Sequence, residues 1–333
     1  MRMLVLLALL AGTVAAAQPG GAPVRLAVPG RVNATPSIAA LGGFVAVAWG
    51  ATLPESGADV FLGVSRDGGR TFDPPVRVNQ RIGEARLGGE LPPRVALVRR
   101  AAGDPGIVVA WGAAAGRTTI RVARSTDGGR TFALESALPP TAVAGDRGWH
   151  ALTMDASGTA HLVWLDHRGL AARPKATEHD HHGDGAGMSQ WSTLSYAAVG
   201  TDGATRGARD LLPGVCYCCK TALATGPSGQ LVAAWRHVYS GNIRDIAFAQ
   251  SLDGVRRAAV VTASRSKAGM TFGSPRRIAT GSSAYPVLAL GADGVVGAWT
   301  DGVGEQSAIV IQVAVAKSSL GSQAMIRQAE RPY

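Results

Sequence analysis

All seven histidines and all three cysteines of this chain fall between residues 150 and 237. Imidazole nitrogen binds copper, zinc and nickel, and thiolate sulfur favours Cu(I) and zinc. His161 lies in the middle of an expected β-strand, whereas the other nine residues lie where strands are expected to begin or end. The sequence therefore predicts a transition-metal site, with copper favoured and zinc as the alternative. The nine candidate ligands are His150, His167, His179, His181, His182, Cys216, Cys218, Cys219 and His237.

The spacing of these residues does not identify the metal. Neither the Cys-x-Cys-Cys cluster nor the run from Glu178 to His182 has the ligand spacing of a zinc finger. Copper is favoured because an accessible set of cysteine, histidine and methionine ligands suits it in an oxidising compartment. Two other interpretations stay open. The histidine-rich loop binds metal only adventitiously, or Cys216 forms a disulfide with Cys218 or Cys219 and leaves one thiol over.

Two nearly identical segments show how the chain is organised. Ser65–Phe72 reads Ser-Arg-Asp-Gly-Gly-Arg-Thr-Phe, and Ser125–Phe132 differs from it only in its second residue. Weaker copies follow at 200–203, 251–254 and 266–272. An Asp-Gly-Gly turn between two apolar runs indicates a β-hairpin, because glycine adopts positive φ and the carboxylate accepts N–H groups of the turn. We expect this segment to stabilise the fold and to take no part in chemistry.

A second repeat precedes these turns and ends in tryptophan. Short apolar strands end at Trp49, Trp111, Trp164, Trp235 and Trp299, and another short strand lies upstream of each. One repeat thus holds a first strand, a glycine turn, a second strand that ends in tryptophan, a loop, a third strand, the Asp-Gly turn and a last strand. Four strands per repeat predict an all-β chain folded as a single β-propeller of four-stranded antiparallel blades, of which five can be counted.

The Asp-Gly-Gly segments match the BNR/Asp-box repeat, and the blade pattern resembles the sialidase superfamily over residues 30–318. The resemblance implies a sialidase-like propeller that spans residues 18–333, and it implies six blades where five can be counted. It also implies a catalytic set. In that set three arginines bind a substrate carboxylate, a tyrosine with a glutamate partner acts as nucleophile, and an acidic residue donates a proton.

The catalytic set that the resemblance implies is incomplete in this chain. The family's first arginine opens the first blade, and the matching stretch Asn33–Ile38 has Ala34 at that position. Asp59 lies roughly where the family's acid falls, but no glutamate stands in a recognisable partner context. The candidate cleft residues are Arg94, Arg236 and Arg244. The catalytic residues therefore stay unknown.

Strand order predicts that the candidate ligands share one rim of the disc. With four antiparallel strands per blade, the first and third turns of every blade lie on one rim, and the remaining connections lie on the other. The Asp-Gly-Gly turns join third and fourth strands. The loops that carry histidine and cysteine are therefore expected on the opposite rim.

These patterns predict an exported, non-hydrolytic, sialidase-like propeller whose histidine- and cysteine-rich rim binds a transition metal. The first alternative is an exo-α-sialidase or related glycoside hydrolase. The second is a carbohydrate- or protein-binding propeller without metal. A glycan or an envelope protein is the expected partner, and we expect a monomer.

The first 17 residues have the features of a secretory signal peptide. Met1-Arg2 is followed by the apolar run Leu4–Leu10 and by small residues at Ala15–Ala17, so a periplasmic or secreted protein is predicted. The apolar run is too short to cross a bilayer and no later stretch is long and apolar enough to do so, so we expect no membrane span. The net charge of +10 comes from scattered arginines without a nucleic-acid motif, so no nucleic-acid partner is expected.

Overall fold

Alternating apolar residues separated by glycine turns fold this chain into consecutive antiparallel strands. The expected signal peptide lies outside the described residues. Helix α1 (Arg168–Ala172) has five residues, and the described part of the chain contains no helix with the length and hydropathy needed to cross a lipid bilayer. The computed structural model describes residues 26–326 except for 54, 70, 116, 139–144, 173–188, 227–228, 240–241, 252–275, 278–282, 292–293, 302–307 and 316–319.

The described strands form consecutive antiparallel units of four strands, as expected for propeller blades. The first unit contains β1 (Val32–Leu41), β2 (Phe44–Leu53), β3 (Gly57–Ser65) and β4 (Val76–Arg77). The short strand β5 (Ala85–Arg86) joins it to the second unit, which contains β6 (Arg94–Val98), β7 (Gly106–Ala115), β8 (Arg117–Ser125) and β9 (Ala133–Leu138).

Three separate four-stranded sheets follow these two units. They contain β10 (Arg147–Met154), β11 (Ala160–Asp166), β12 (Thr193–Val199) and β13 (Thr205–Pro213); β14 (Ala222–Thr225), β15 (Leu231–Tyr239), β16 (Ile243–Gln250) and β17 (Arg276–Arg277); and β18 (Ser283–Gly291), β19 (Gly294–Asp301), β20 (Ala308–Val315) and β21 (Leu320–Ile326). The described residues thus hold five units, the number counted from the tryptophans. A sixth blade, which the resemblance implies, is not among them.

The first strands of successive units lie side by side. Strand β1 contacts β6, β6 contacts β10, β10 contacts β14, and β14 contacts β18. Innermost strands that meet in chain order while the other strands extend outward are the arrangement of a β-propeller.

Tryptophans at the ends of the second strands fill the space between neighbouring units. Trp111, Trp164 and Trp235 are at most 1% exposed. Each packs into the preceding unit: Trp111 lies in one apolar cluster with Leu62 of β3, and Trp235 lies in another with Tyr196 of β12. Burying a ring of roughly 200 Å² at about 25 cal/mol/Å² contributes at most about 5 kcal/mol, so these side chains hold adjacent blades together.

The two strong Asp-Gly-Gly segments close the turns between the third and fourth strands of the first two units. In the second, Asp127 accepts hydrogen bonds from Thr131 N at 3.0 Å and from Thr131 Oγ1 at 2.6 Å. Gly128 and Gly129 have φ of 76° and 89°, which glycine adopts without strain. Burial raises the pKa of Asp127, but the hydrogen bonds from Thr131 and Ser125 outweigh it and hold that pKa well below its usual range. The segment stabilises a turn, as its sequence predicts.

Hydrogen bonds between connections show which of them share a rim. Gly68 N in the first Asp-Gly-Gly turn donates to Gly43 O in the β1–β2 turn at 2.8 Å. On the other rim, His167 N after β11 donates to Asp146 O before β10 at 2.9 Å. We call the first the box rim and the second the loop rim. The connection from β13 to β14, which carries the three cysteines, belongs to the loop rim, as strand order predicts.

Two candidate ligands lie inside strands and not at strand ends. Pairing with β16 extends β15 to Tyr239, so His237 lies within this strand instead of opening the loop that follows. Strand β10 begins at Arg147, which places His150 in its fourth position, at a bulge between Gly148 and Ala151. The sequence predicted that His150 begins a strand and that His237 follows one. Both predictions were wrong, because the strands extend beyond the apolar runs from which they were predicted.

We expect Asp127→Ala to lower the thermal unfolding midpoint by about 2 °C, because at least two turn hydrogen bonds worth about 1 kcal/mol in total are lost. Circular dichroism at neutral pH measures the shift. Asp202→Ala is the control, since Asp202 lies in a weak copy of the turn and accepts a backbone N–H from Ala204 at 3.1 Å. Its other partner is the exposed Arg206 side chain, and exposed ion pairs contribute little to stability. Equal shifts in the two variants would contradict a structural role that is specific to the strong segments.

Candidate metal centre

The three cysteines lie on the connection 214–221 between β13 and β14, which we call the cysteine loop. Gly214 begins it with a φ of 79°, and a Cβ at this position would come within 3.2 Å of the His237 ring. A β-bridge pairs the buried Val215 with His237, and Val238 N donates to Gly214 O at 2.9 Å. Glycine is therefore required at 214, because the loop runs directly against β15.

Backbone hydrogen bonds hold both ends of the cysteine loop. Cys216 N donates to Arg236 O at 2.8 Å. At the other end, Thr221 donates to Trp149 O from its N at 3.3 Å and from its Oγ1 at 2.6 Å. The two carbonyls that accept these hydrogen bonds belong to different units, since Trp149 lies in β10 and Arg236 lies in β15. The loop is thus fixed where two blades meet.

The three cysteine sulfurs form a compact cluster on this loop. The Sγ atom of Cys216 lies 3.0 Å from that of Cys219 and 3.9 Å from that of Cys218. All three lie within 4.8 Å of one another, and in the described residues they are the one group of three or more histidine, cysteine or carboxylate ligand atoms that close together. Cys216 is buried, Cys219 is half-buried and Cys218 is exposed.

The spacing of the sulfurs is compatible with a metal site. Two thiolates bound to one ion at about 2.3 Å are separated by about 3.8 Å in tetrahedral geometry and by about 4.0 Å in trigonal geometry. The distance from Cys216 to Cys218, 3.9 Å, already falls in this range. The distance from Cys216 to Cys219, 3.0 Å, would have to open by about 1 Å.

Two arginines, Arg236 and Arg244, lie close enough to the sulfurs to affect their pKa values. Arg236 Nη1 lies 3.8 Å from Cys219 Sγ. A hydrogen bond from Cys219, opposed by burial and assisted by the charge of Arg236, lowers the pKa of Cys216. The same hydrogen bond, together with burial, raises the pKa of Cys219. Burial and the neighbouring Cys216 raise the pKa of Cys218, which the charge of Arg244 opposes. Cys216 is therefore the first of the three to ionise.

His167 lies next to the cysteine loop. Its ring packs against Trp149 at an angle of 45° with 4.8 Å between centroids, and its Nε2 is buried with no hydrogen-bond partner among the described residues. Burial lowers the pKa of His167, against smaller opposing effects of nearby carboxylates and of the Tyr217 backbone. The ring is thus neutral at neutral pH. It offers a ring nitrogen beside the cysteine loop, outside the 4.8 Å sulfur cluster.

His237 also lies beside the cysteine loop and outside the sulfur cluster. Its ring meets Tyr239 edge-on at 4.7 Å, and its Nδ1 is buried without a hydrogen-bond partner among the described residues. Burial lowers the pKa of His237.

Of the other predicted histidine ligands, the structure describes His150 alone, and it does not lie with the thiols. His150 is 1% exposed, and its Nε2 lies 3.2 Å from Ala110 O in the neighbouring unit. Burial and the charge of Arg94 lower the pKa of His150 to about 3. This neutral ring packs between blades. The three histidines of the long loop after β11 lie outside the described residues; they are His179, His181 and His182.

Trp149 is a residue of the site that the sequence did not single out. It occupies the bulge of β10 with a φ of 53°, and Thr35 in the bulge of β1 has a φ of 55°. Positive φ is strained for a bulky residue and is maintained by its surroundings. The available signal was positional, because Trp149 and Thr35 occupy the same place in their repeats.

Asp59 does not have the setting of a catalytic proton donor. It is fully buried, and it is held by Arg31 at 2.7 Å, by Asn79 Nδ2 at 2.7 Å and by Gly83 N at 2.8 Å. Burial raises the pKa of Asp59, but these donors outweigh it and lower that pKa overall. Asp59 thus joins strand β3 to the segments that carry Arg31, Asn79 and Gly83.

No family model and no curated protein matches this sequence. Solved structures do match. The chain is similar to a protein of unknown function from Dyadobacter fermentans, with 14% identity and a TM-score of 0.51 over 89% of this chain and 83% of that one. It is also similar to the α-L-arabinanase of Penicillium chrysogenum, solved with arabinobiose, with 14% identity and a TM-score of 0.51 over 90% of this chain and 82% of that one.

A Hadza microbial sialidase has 15% identity and a TM-score of 0.44 over 79% of this chain and 52% of that one. Likeness at such identities concerns the fold alone. The chain has a propeller-type fold, as its four-stranded units and the two matches with a TM-score of 0.51 indicate, and the comparisons name no family for it.

We expect His150→Gln to flatten the acid dependence of stability. A folded-state pKa of about 3, below the ordinary 6.5, means that His150 contributes stability above pH 6.5, and that this contribution is lost as the pH falls from 6.5 towards 3. The free energy of unfolding of the wild type should therefore fall more steeply over this range, by up to about 1.4 kcal/mol per pH unit. Urea unfolding at several pH values measures both slopes. Parallel slopes would show that His150 is not a neutral core residue.

Proposed function

We propose that this chain is an exported propeller that binds a soft transition-metal ion, Cu(I) in preference to Zn²⁺, through Cys216, Cys218 and Cys219. The observation that carries the proposal is the clustering of three sulfurs within 4.8 Å on a loop fixed by two blades. Thiolates are the ligands that select soft ions. Export follows from the signal-peptide pattern of residues 1–17.

The number of ligands favours copper. Structural zinc is almost always four-coordinate, whereas Cu(I) is satisfied by two or three thiolates. The described cluster supplies three sulfurs, and the nearby His167 and His237 each lie outside it. Zinc would require one of these rings to move into the cluster. Copper requires only that Cys219 move away from Cys216.

The charges around the sulfurs favour bound thiolates. Three thiolates with Cu⁺ carry a net charge of −2, and low solvent access makes such charge costly unless cations are close. Arg236 lies 3.8 Å from Cys219 Sγ, and Arg244 acts on Cys218. The loop rim can therefore hold an anionic copper–thiolate centre.

We expect the reduced protein, prepared from the periplasm without a histidine tag, to bind a single Cu(I) per chain with all three thiols engaged. Competition against a chromogenic Cu(I) chelator, together with thiol counting, measures stoichiometry and affinity. Cys216→Ser/Cys218→Ser/Cys219→Ser should lose binding. Cys218→Ser alone should weaken it by at least about tenfold, because loss of a direct ligand costs no less than loss of an outer-shell partner.

His150→Gln is the matched control for copper binding, because His150 is buried between blades and bonded to Ala110 O. Its affinity for Cu(I) should equal that of the wild type. If the triple serine variant still bound Cu(I) with full affinity, the thiol site would be wrong, and the histidine loop would become the alternative.

A second candidate is glycan recognition, and the likeness to an arabinanase solved with arabinobiose favours it. A metal on the loop rim does not preclude a glycan site elsewhere on the disc. Hydrolysis by a sialidase mechanism is less well supported, because Ala34 replaces the first arginine and Asp59 is buried in an ion pair with Arg31. We propose binding without hydrolysis for this candidate.

Fluorogenic sialoside and arabinofuranoside substrates should give no turnover above buffer, whereas arabino-oligosaccharides should give saturable binding by calorimetry if the glycan candidate is correct. Turnover of the sialoside that Asp59→Asn abolishes would reverse this interpretation and establish a hydrolase. Absence of both binding and turnover would leave the metal proposal alone.

A further inference from the structure

The cysteine loop holds a pair of sulfurs closer together than metal binding needs. Cys216 and Cys219 are separated by two residues, and their Sγ atoms are 3.0 Å apart. A disulfide bond is about 2.05 Å long, so the pair must close by about 1 Å to join. The other measured pair, Cys216 and Cys218, is 3.9 Å apart and has about twice as far to close.

The turn between these two cysteines lies on a fixed base. Cys219 N donates to Cys216 O at 3.4 Å, which forms a tight turn over residues 217–218. The base is the hydrogen bond from Cys216 N to Arg236 O at one end and the bonds from Thr221 to Trp149 O at the other. Joining the sulfurs therefore needs a small change in the turn, with the anchors to β10 and β15 kept.

We propose that Cys216 and Cys219 form a reversible disulfide and that this pair exchanges two electrons with an external dithiol or disulfide. This activity goes beyond metal binding, and it does not depend on it. The partner class is any small molecule or protein that presents a thiol pair or a disulfide to the loop rim.

Burial decides the order of attack. Cys216 is 1% exposed and Cys219 is half-buried, so an incoming thiolate reaches the Cys219 sulfur of the disulfide. A bond forms between that sulfur and the external sulfur, the Cys216–Cys219 bond breaks, and Cys216 leaves as a thiolate. The neighbouring Arg236 guanidinium compensates this negative charge.

The second thiolate of the external dithiol completes the exchange. It attacks the external sulfur of the mixed disulfide, and Cys219 is released as a thiolate. The external dithiol gives up two electrons and two protons and becomes a disulfide, and the two cysteines gain them and become thiols. With an external disulfide as oxidant, the same steps run in reverse.

Cys218 separates this proposal from the copper proposal. It is exposed and supplies the third sulfur of the metal cluster, but it takes no part in the Cys216–Cys219 bond. Cys218→Ser should therefore weaken copper binding and leave the redox pair intact. Failure of one proposal does not imply failure of the other.

The test uses the full mature chain, freed of metal by a chelator and equilibrated with mixtures of reduced and oxidised glutathione. After alkylation with N-ethylmaleimide, trypsin should release residues 210–220, which contain all three cysteines. In oxidising mixtures we expect alkylation of Cys218 alone, with a loss of about 2 Da from the formation of one disulfide. Dithiothreitol should restore alkylation of all three.

Single serine variants identify which two cysteines form the bond. Cys218→Ser should keep the internal bond, and Cys216→Ser and Cys219→Ser should lose it while keeping the wild-type circular dichroism spectrum. Alkylation of all three cysteines in every mixture, glutathione adducts without an internal bond, or a bond that includes Cys218 would each overturn the proposal. If Cys216→Ser or Cys219→Ser fails to fold, the alkylation pattern of the wild type and of Cys218→Ser decides.

Discussion

The even number of strands in each unit is the constraint on which the site depends. An antiparallel unit of four strands begins and ends on the same rim, so every passage to the next unit returns the chain to the loop rim. The cysteine loop is one of these passages, and the connection after β11 begins on the same rim, at His167. One strand more or fewer in the third unit would place the thiols on the box rim. The thiols therefore lie on the loop rim only because each unit has an even number of strands. The Asp-Gly-Gly turns and the tryptophans between blades stabilise these units.

The number of strands determines on which rim the cysteine loop lies, and contacts between neighbouring blades determine the shape of that loop. The cysteine loop is bound to Trp149 of the third unit and to Arg236 of the fourth, so its shape depends on how these two blades pack. Trp149 serves twice, because its strained backbone presents the carbonyl that Thr221 needs and its ring covers His167. A β-bulge usually weakens a strand, but the bulge of β10 turns the Trp149 side chain and carbonyl towards the cysteine loop and His167. The strained backbone of β10 at Trp149 and the ordered cysteine loop thus depend on each other, because the hydrogen bonds from Thr221 to Trp149 O join them.

The sequence predicts the repeating frame well and the site only in part. Periodic tryptophans and Asp-Gly-Gly turns are local signals, so the four-stranded units and the grouping of the cysteines could be inferred from them. The direction of a side chain is not local. His150 turns into the core because a bulge shifts the register of β10, and His237 lies within β15 because pairing with β16 extends that strand. Neither event leaves a mark in the apolar pattern. Trp149 occupies the same place in its repeat as Thr35, but its positive φ could not be predicted, since a bulge depends on the partner strand.

The spacing of the sulfurs lies between two chemical states of the cysteine loop. A metal ion would hold the sulfurs about 3.8–4.0 Å apart, and a disulfide would hold two of them about 2.05 Å apart. The observed 3.0 Å between Cys216 and Cys219 is about 1 Å from either. Both states use the same anchors, because the ends of the loop are fixed and only the turn over residues 217–218 has to change. They exclude each other, since a sulfur in a disulfide has no thiolate charge to offer a cation. If both proposals hold, oxidation of the pair would release the ion, and an ion bound to the pair would protect it from oxidation.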